Sequence, residues 1–108
     1  MWFGVSLLLC GETAGRSERD LLWEESIVLV QADSCVEARL SAEGIGKGME
    51  VEYDSASGER IRWTLRNVYR VYEIEEREVL RTGTEVFSRF LRQSEVQSLM
   101  TPFNEEED

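Results

Sequence analysis

Two adjacent carboxylates, Glu24 and Glu25, interrupt an otherwise apolar run over residues 21–30. Neighbours in an extended chain point to opposite faces of a sheet, so one carboxylate falls on each face. Burial there penalises the charged form and raises a carboxyl pKa, the usual preparation of a general acid or base. Arg60, Arg62, Arg66 and Arg70 keep even spacing and so share one strand face. Planar guanidinium forks in such a row suit bidentate grip of phosphates or carboxylates. With Arg89 added, the candidate site residues are Glu24, Glu25, Arg62, Arg66, Arg70 and Arg89. An enzyme built on them would use Glu24 or Glu25 as acid-base group and Arg62, Arg66 or Arg89 to hold an anionic substrate.

Each candidate has a plainer reading. Glu24 and Glu25 fit an exposed edge, or a site where an arginine neutralises Glu25. Glu52 and Asp54 stand opposite part of the arginine row, which then reads as a charge-laced outer sheet face. The chain has no histidine, so the commonest general base and any Ser-His or Cys-His nucleophile pair are missing. Ser26, Cys10 and Cys35 lack an activating partner, and Cys35 falls on the expected buried stripe of a helix. Gly44, Gly46, Lys47 and Gly48 resemble a phosphate loop in composition only, because they close a helix and open a strand where a phosphate loop does the reverse. No catalytic residue, no metal ligand set and no cofactor is assigned.

The chain has 108 residues, 12 basic against 22 acidic, for a net charge of −10, and 42% hydrophobic residues. That length fits one domain, and that apolar share is enough for a core. A deficit of basic residues argues against nucleic acid or an anionic membrane as partner. Eleven of the 12 basic residues are arginines. Residues 2–10 are mostly apolar, yet they lack a basic n-region, and Leu9 stands where a leader's cleavage site needs a small residue, so a secretory leader is not expected. No apolar run reaches the roughly 18 residues of a membrane span. A cytoplasmic chain with both cysteines reduced is the expectation.

The elements that must position these residues follow from periodicity. Phe3, Val5, Leu7 and Leu9 alternate with Trp2, Gly4, Ser6 and Leu8, predicting a first strand apolar on both sides and therefore central or covered by a second copy. Residues 11–20 read as a connection, and residues 21–32 as a second strand apolar on both faces. Ser34 with Glu37 forms a capping-box pattern that starts a helix. Its stripe is Cys35, Ala38, Ala42 and Ile45, with Gly44 closing it in a Schellman ending. Residues 49–54 and 60–75 alternate apolar with charged, predicting a hairpin. Tyr53 then faces Ile61, Val51 faces Trp63, and Gly58 takes the left-handed position of a three-residue turn. Residues 84–91 suit a strand or a helix, and the strand is preferred. Ser94 and Gln97 cap a short final helix that Pro102 keeps from extending. Residues 1–100 form one domain, and residues 101–108 an acidic disordered tail.

In this setting a set of short signatures stands in order. They are Trp2, Phe3 and Gly4; Glu24, Glu25, Ser26, Ile27, Val28 and Leu29; Arg62 and Trp63; Val71, Tyr72 and Glu73; and residues 83–90, Gly-Thr-Glu-Val-Phe-Ser-Arg-Phe. Their order resembles the small bacterial family catalogued as domain of unknown function 4288, over about residues 2–91. The resemblance implies a stand-alone bacterial cytoplasmic domain and carries no activity, substrate or cofactor. The glycine-rich stretch and the acidic tail do not belong to the family pattern.

The expected fold is α+β: a mainly antiparallel sheet of four to five strands, one principal helix on one face, and a short C-terminal helix. One helix covers one side of such a sheet, leaving apolar surface on the other. A noncatalytic protein-interaction or homodimerising module follows as the leading expectation, its partner a second copy or another protein. The enzyme reading is the alternative.

Overall fold

A computed structural model describes residues 1–75 and 81–101, with the side chain of Asp20 excepted. The elements are β1 (Trp2–Thr13), β2 (Leu22–Gln31), α1 (Cys35–Gly48), β3 (Val51–Asp54), β4 (Arg60–Glu73) and α2 (Gln93–Met100), with one 3-10 turn at Glu18–Asp20. The four strands form one sheet in the order β2-β1-β4-β3, every pair antiparallel. The expected α+β class and short C-terminal helix are found, with four strands.

β1 is central because it carries no charge before Glu12 and is apolar on its inner face. Phe3, Val5, Leu7 and Leu9 point toward α1 and are buried with Val30, Ala38 and Ala42. Burying each of the larger of these side chains contributes roughly 1.5–3 kcal/mol. The opposite face, called outer here, carries Trp2, Gly4, Ser6, Leu8 and Cys10 of β1, with Trp23, Glu25, Ile27 and Leu29 of β2 beside them.

α1 begins as expected: the Ser34 side chain accepts the Glu37 N–H at 3.2 Å. It runs past Gly44 to Gly48, because Gly46 serves for close approach. A Cβ there would stand 2.8 Å from Leu65 of β4. The buried stripe is Ala38, Ala42 and Gly46, a spacing of four that leaves Cys35 exposed and corrects its expected place in the core. Gly11 likewise belongs to β1, not to the connection; the Trp63 ring lies against it, 2.7 Å from where a Cβ would stand.

The β3–β4 hairpin has the expected register, with Val51 opposite Trp63 and Tyr53 opposite Ile61. Gly58 closes it at φ +90°. Two bulges in β4 shift its register against β1 between Leu8 and Leu9 and between Ser6 and Leu7. Val68 takes the inward place expected for Tyr69, which is exposed beside Arg70, its ring 5.2 Å from the guanidinium.

Residues 84–91 pair with no strand and form no helix. They belong to an irregular strap, residues 81–92, lying on the outer face. The strap opens in a turn at Gly83, φ +96°, passes its Val86 carbonyl directly over Gly4, and leads into α2. Tyr72 and Phe87 meet edge to face at 6.1 Å between centroids. The short helix is found, though its N-cap is Arg92 instead of Ser94. Residues 102–108, nearly all of the expected tail, lie outside the described residues.

Candidate functional site

Glu25 stands on the outer face at the centre of the β2–β1 pair, opposite Leu8. The buried Ser6 hydroxyl donates to its Oε2 at 2.6 Å, and Arg89 of the strap approaches its Oε1 at 3.7 Å. The serine occupies one acceptor position of the carboxylate, the arginine balances its charge, and Ser6 is fully buried. This trio fastens the strap to the sheet. The neutralising arginine that the sequence allowed comes from the strap and not from β4.

Beside it, the strap makes a second fastening. Tyr72 donates to Glu85 at 2.6 Å. That hydrogen bond stabilises the carboxylate and the protonated phenol together, so it lowers the Glu85 pKa and raises that of Tyr72.

Arg62 and Arg66 converge on Glu12 of β1, at 3.7 and 3.1 Å. Arg66 also lies over the Trp23 ring, 5.8 Å from its centroid. Arg60 bonds Glu52 at 3.0 Å and Asp54 at 3.1 Å, and hydrogen bonding to Glu52 leads the causes that raise its pKa. The structure therefore brings together Glu25 with Arg89, and Arg62 with Arg66, but does not join the two pairs. Arg70 stands by Tyr69, and Glu24, on the inner face, has no ion-pair partner among the described residues. Of the expected arginine row, Arg60, Arg62 and Arg66 are ion-paired on the outer surface, while Arg70 has only its ring contact with Tyr69.

Two concavities adjoin these groups. One of about 720 Å³ lies on the inner face beyond the end of α1, lined by Leu22, Glu24, Met49, Val51, Tyr53 and Trp63 among others. The Trp63 indole N–H donates to the Tyr53 hydroxyl at 3.2 Å, locking its wall. The other, about 350 Å³, lies where residues 14–18 pass Arg60 and Arg62. Glu25 lines neither of them. No group of three His, Cys, Asp or Glu able to hold a metal occurs among the described residues, and no described helix is long and apolar enough to cross a membrane.

The two margins of the sheet differ. β4 continues past the end of β3, and there side chains occupy its free backbone groups. The Glu50 carboxylate accepts the Leu65 N–H at 2.9 Å, and Arg39 donates to the Val68 carbonyl at 2.6 Å. β2, ten residues long, pairs with β1 on one side through ten unbroken positions. On its other side no described strand pairs with it. Of the devices that usually blunt an edge it has no proline, lysine, arginine or bulge, and its charges are Glu24, toward the inner face, and Glu25. Leu22, Trp23, Ile27 and Leu29 are all exposed along it.

The sequence reading missed Ser6, Glu12 and the Tyr72–Glu85 pair. A signal for the first was present: Gly4 and Ser6 are the small residues on an otherwise bulky strand, and small residues mark where another segment lies close. Neither curated proteins nor solved structures give a match to this chain. A family model, Domain of unknown function (DUF4288), matches residues 2–88, from the start of β1 to the strap residue that precedes Arg89. The chain belongs to the DUF4288 family.

Proposed function

We propose that this chain is a noncatalytic protein-interaction module that offers the open edge of β2 to a strand of another chain, either a second copy or a different protein. The observation that carries this reading is the contrast between the margins: the β4 edge is plugged by Glu50 and Arg39, whereas the β2 edge is long, apolar and bare. Strand addition to such an edge satisfies the free backbone groups and covers apolar side chains on both faces. The Glu25 form of the enzyme reading is weakened because Glu25 and Arg89 hold each other away from both concavities, and the concavity that Glu24 lines has no arginine in its lining. The net charge of −10 makes nucleic acid and anionic membrane poor partners. A bacterial cytoplasmic setting belongs to the same proposal and suits two free thiols.

The test is a tagged pull-down with the full chain, read by mass spectrometry, together with its mass in solution. The partner, or the dimer, should be stoichiometric and should be lost in an Ile27→Lys/Leu29→Lys variant whose circular dichroism is unchanged. A wild-type chain that stays monomeric and captures nothing the variant fails to capture would sink the reading.

A further inference from the structure

The strap is held as far as Arg89 and no further. Phe90 is 101% exposed, and α2 packs on no other described element. An isolated helix of eight residues is far below the roughly 12–15 that are marginally stable in water. Its apolar residues, Val96, Leu99 and Met100, nevertheless fall at helical spacing on one side, and Leu99 and Met100 are exposed. The arm of residues 90–100 therefore has the character of a docking element without its dock. On the same outer face, at the edge where the strap arrives, Trp23, Ile27 and Leu29 are 51%, 45% and 48% exposed.

We propose that the partner strand on β2 is β2 of a second copy, and that the arm of each copy, residues 90–100, lies across the edge on Trp23, Ile27 and Leu29 of the other. This rests on the reading of β2 as an interaction edge and goes beyond it in naming the occupant. Antiparallel pairing about a two-fold axis normal to the sheet joins outer face to outer face. A strap that continued past Arg89, which already reaches Glu25 of β2, over that edge would run onto the partner's outer face, and symmetry would repeat the contact. One chain supplies both the uncovered face and the apolar segment that lacks a surface, so a closed two-fold dimer satisfies both at once.

The strand's two carboxylates are compatible with this arrangement. Same-face pairing puts the axis on a residue. With the axis at Ser26, Glu25 meets Ile27 and Glu24 meets Val28 of the other strand. With it at Ile27, they meet Leu29 and Val30. Only an axis at Glu24 or Glu25 itself sets a carboxylate against its own copy, and the strand is long enough to avoid both.

The experiment uses the full chain. Sedimentation equilibrium should give a dimer. A sample mixed from isotope-labelled and unlabelled chains should show contacts between the Phe90 ring and the Ile27 methyl groups that are strictly intermolecular. In a Phe90→Asp/Leu99→Asp variant, where both substituted residues are exposed in the single copy, circular dichroism should be unchanged. Its dimer dissociation constant should rise at least about tenfold, as for centrally placed apolar contacts. A dimer indifferent to that variant, with its Phe90 contacts inside one chain, overturns the arm exchange and leaves β2 standing as an interaction edge. A monomer at all concentrations overturns the second copy as occupant. If the Ile27→Lys/Leu29→Lys variant then also loses no partner, the reading of β2 falls with it.

Discussion

The two margins of the sheet obey the same chemistry and meet it in different ways. Where β4 outruns β3, the chain spends a carboxylate and a guanidinium to occupy the free Leu65 N–H and Val68 C=O. It also bends that strand with two bulges and lines its outer face with ion-paired arginines. At β2 the ladder to β1 is unbroken, and the strand bears only two charged residues, Glu24 and Glu25. Exposed long flat edges invite pairing with other chains. On the β4 side the outermost strand, β3, is four residues long and carries Glu52 and Asp54, whereas β2 is long and mostly apolar, the difference on which the proposed interaction rests.

The contrast breaks first where the strap is lifted. Gly4→Val would drive a side chain into the Val86 backbone carbonyl, and a backbone cannot swing aside as a side chain can. The expected loss is about 1–3 kcal/mol in urea unfolding, the usual cost of forced overpacking. Faster amide exchange in residues 84–89 should accompany it. Full stability in that variant would show that the strap does not rest on β1.

Next in size is moving a guard to the bare margin. Ser26→Lys places a gatekeeper at the centre of β2. Folding stability should stay within about 0.5 kcal/mol, while affinity for whatever pairs with β2 should fall about tenfold or more, measured by titration of the dissociation constant. The converse change, Arg39→Ala with Glu50→Ala, unplugs β4. Both side chains are solvent-exposed, so the stability loss should be about 0.5–1.5 kcal/mol. Light scattering should then reveal a further concentration-dependent association, beyond any pairing at β2, that the wild type lacks.

The smallest effect is on the strap's fastening and follows pH. The Glu85 carboxyl is lowered in the folded chain, so its contribution is present above the ordinary carboxyl range and is lost as acid protonates it. Tyr72 is raised, so its contribution is complete below the ordinary phenol range and is lost as pH climbs through the raised value. Phenolate absorbance should show one of the three tyrosines titrating later than the others, and Glu85→Gln should shift it back. An unshifted tyrosine in the wild type would mean that the Tyr72–Glu85 bond does not persist in solution.

Much of this architecture was legible in period-two alternation. The β3–β4 hairpin announces itself because a one-residue slip would bury Glu52 or Asp54, and β1 and β2 by short runs apolar on both faces. The start of α1 was equally plain from Ser34 and Glu37. What escaped depends on contacts between segments distant in sequence. Gly44 reads as the helix stop until Gly46, two residues further on, is seen packed against Leu65. Tyr69 reads as inward until two bulges turn it out; the one trace of them in the sequence is Asn67, a polar residue at an expected inward position, followed by Val68. Residues 84–91 fit either period, and the structure uses neither, because their partners Gly4, Glu25 and Tyr72 hold them by side-chain and surface contacts. Among the candidate residues, Glu25 with Arg89 was readable as a pairing of types, but Ser6 beneath them was hidden among apolar neighbours. The open β2 edge was foreshadowed only as surplus apolar surface, since alternation specifies faces and says nothing of strand order.

The central place of β1 also sets a problem in time. Its partners on one side lie far along the chain, Phe3 meeting Glu73 and Thr13 meeting Ile61. Synthesis at about 5–20 residues per second leaves the segment Trp2–Thr13, without a charge before Glu12, waiting on the order of 10 s for the strand that flanks it. Pairings of such long range slow the search for the native topology. During that interval the β1–β2 hairpin is the largest part of the sheet available. A nascent chain thus depends on its apolar first hairpin staying soluble until β4 arrives, which makes dilution and chaperone access during synthesis, more than final stability, the factors that decide the yield of folded protein.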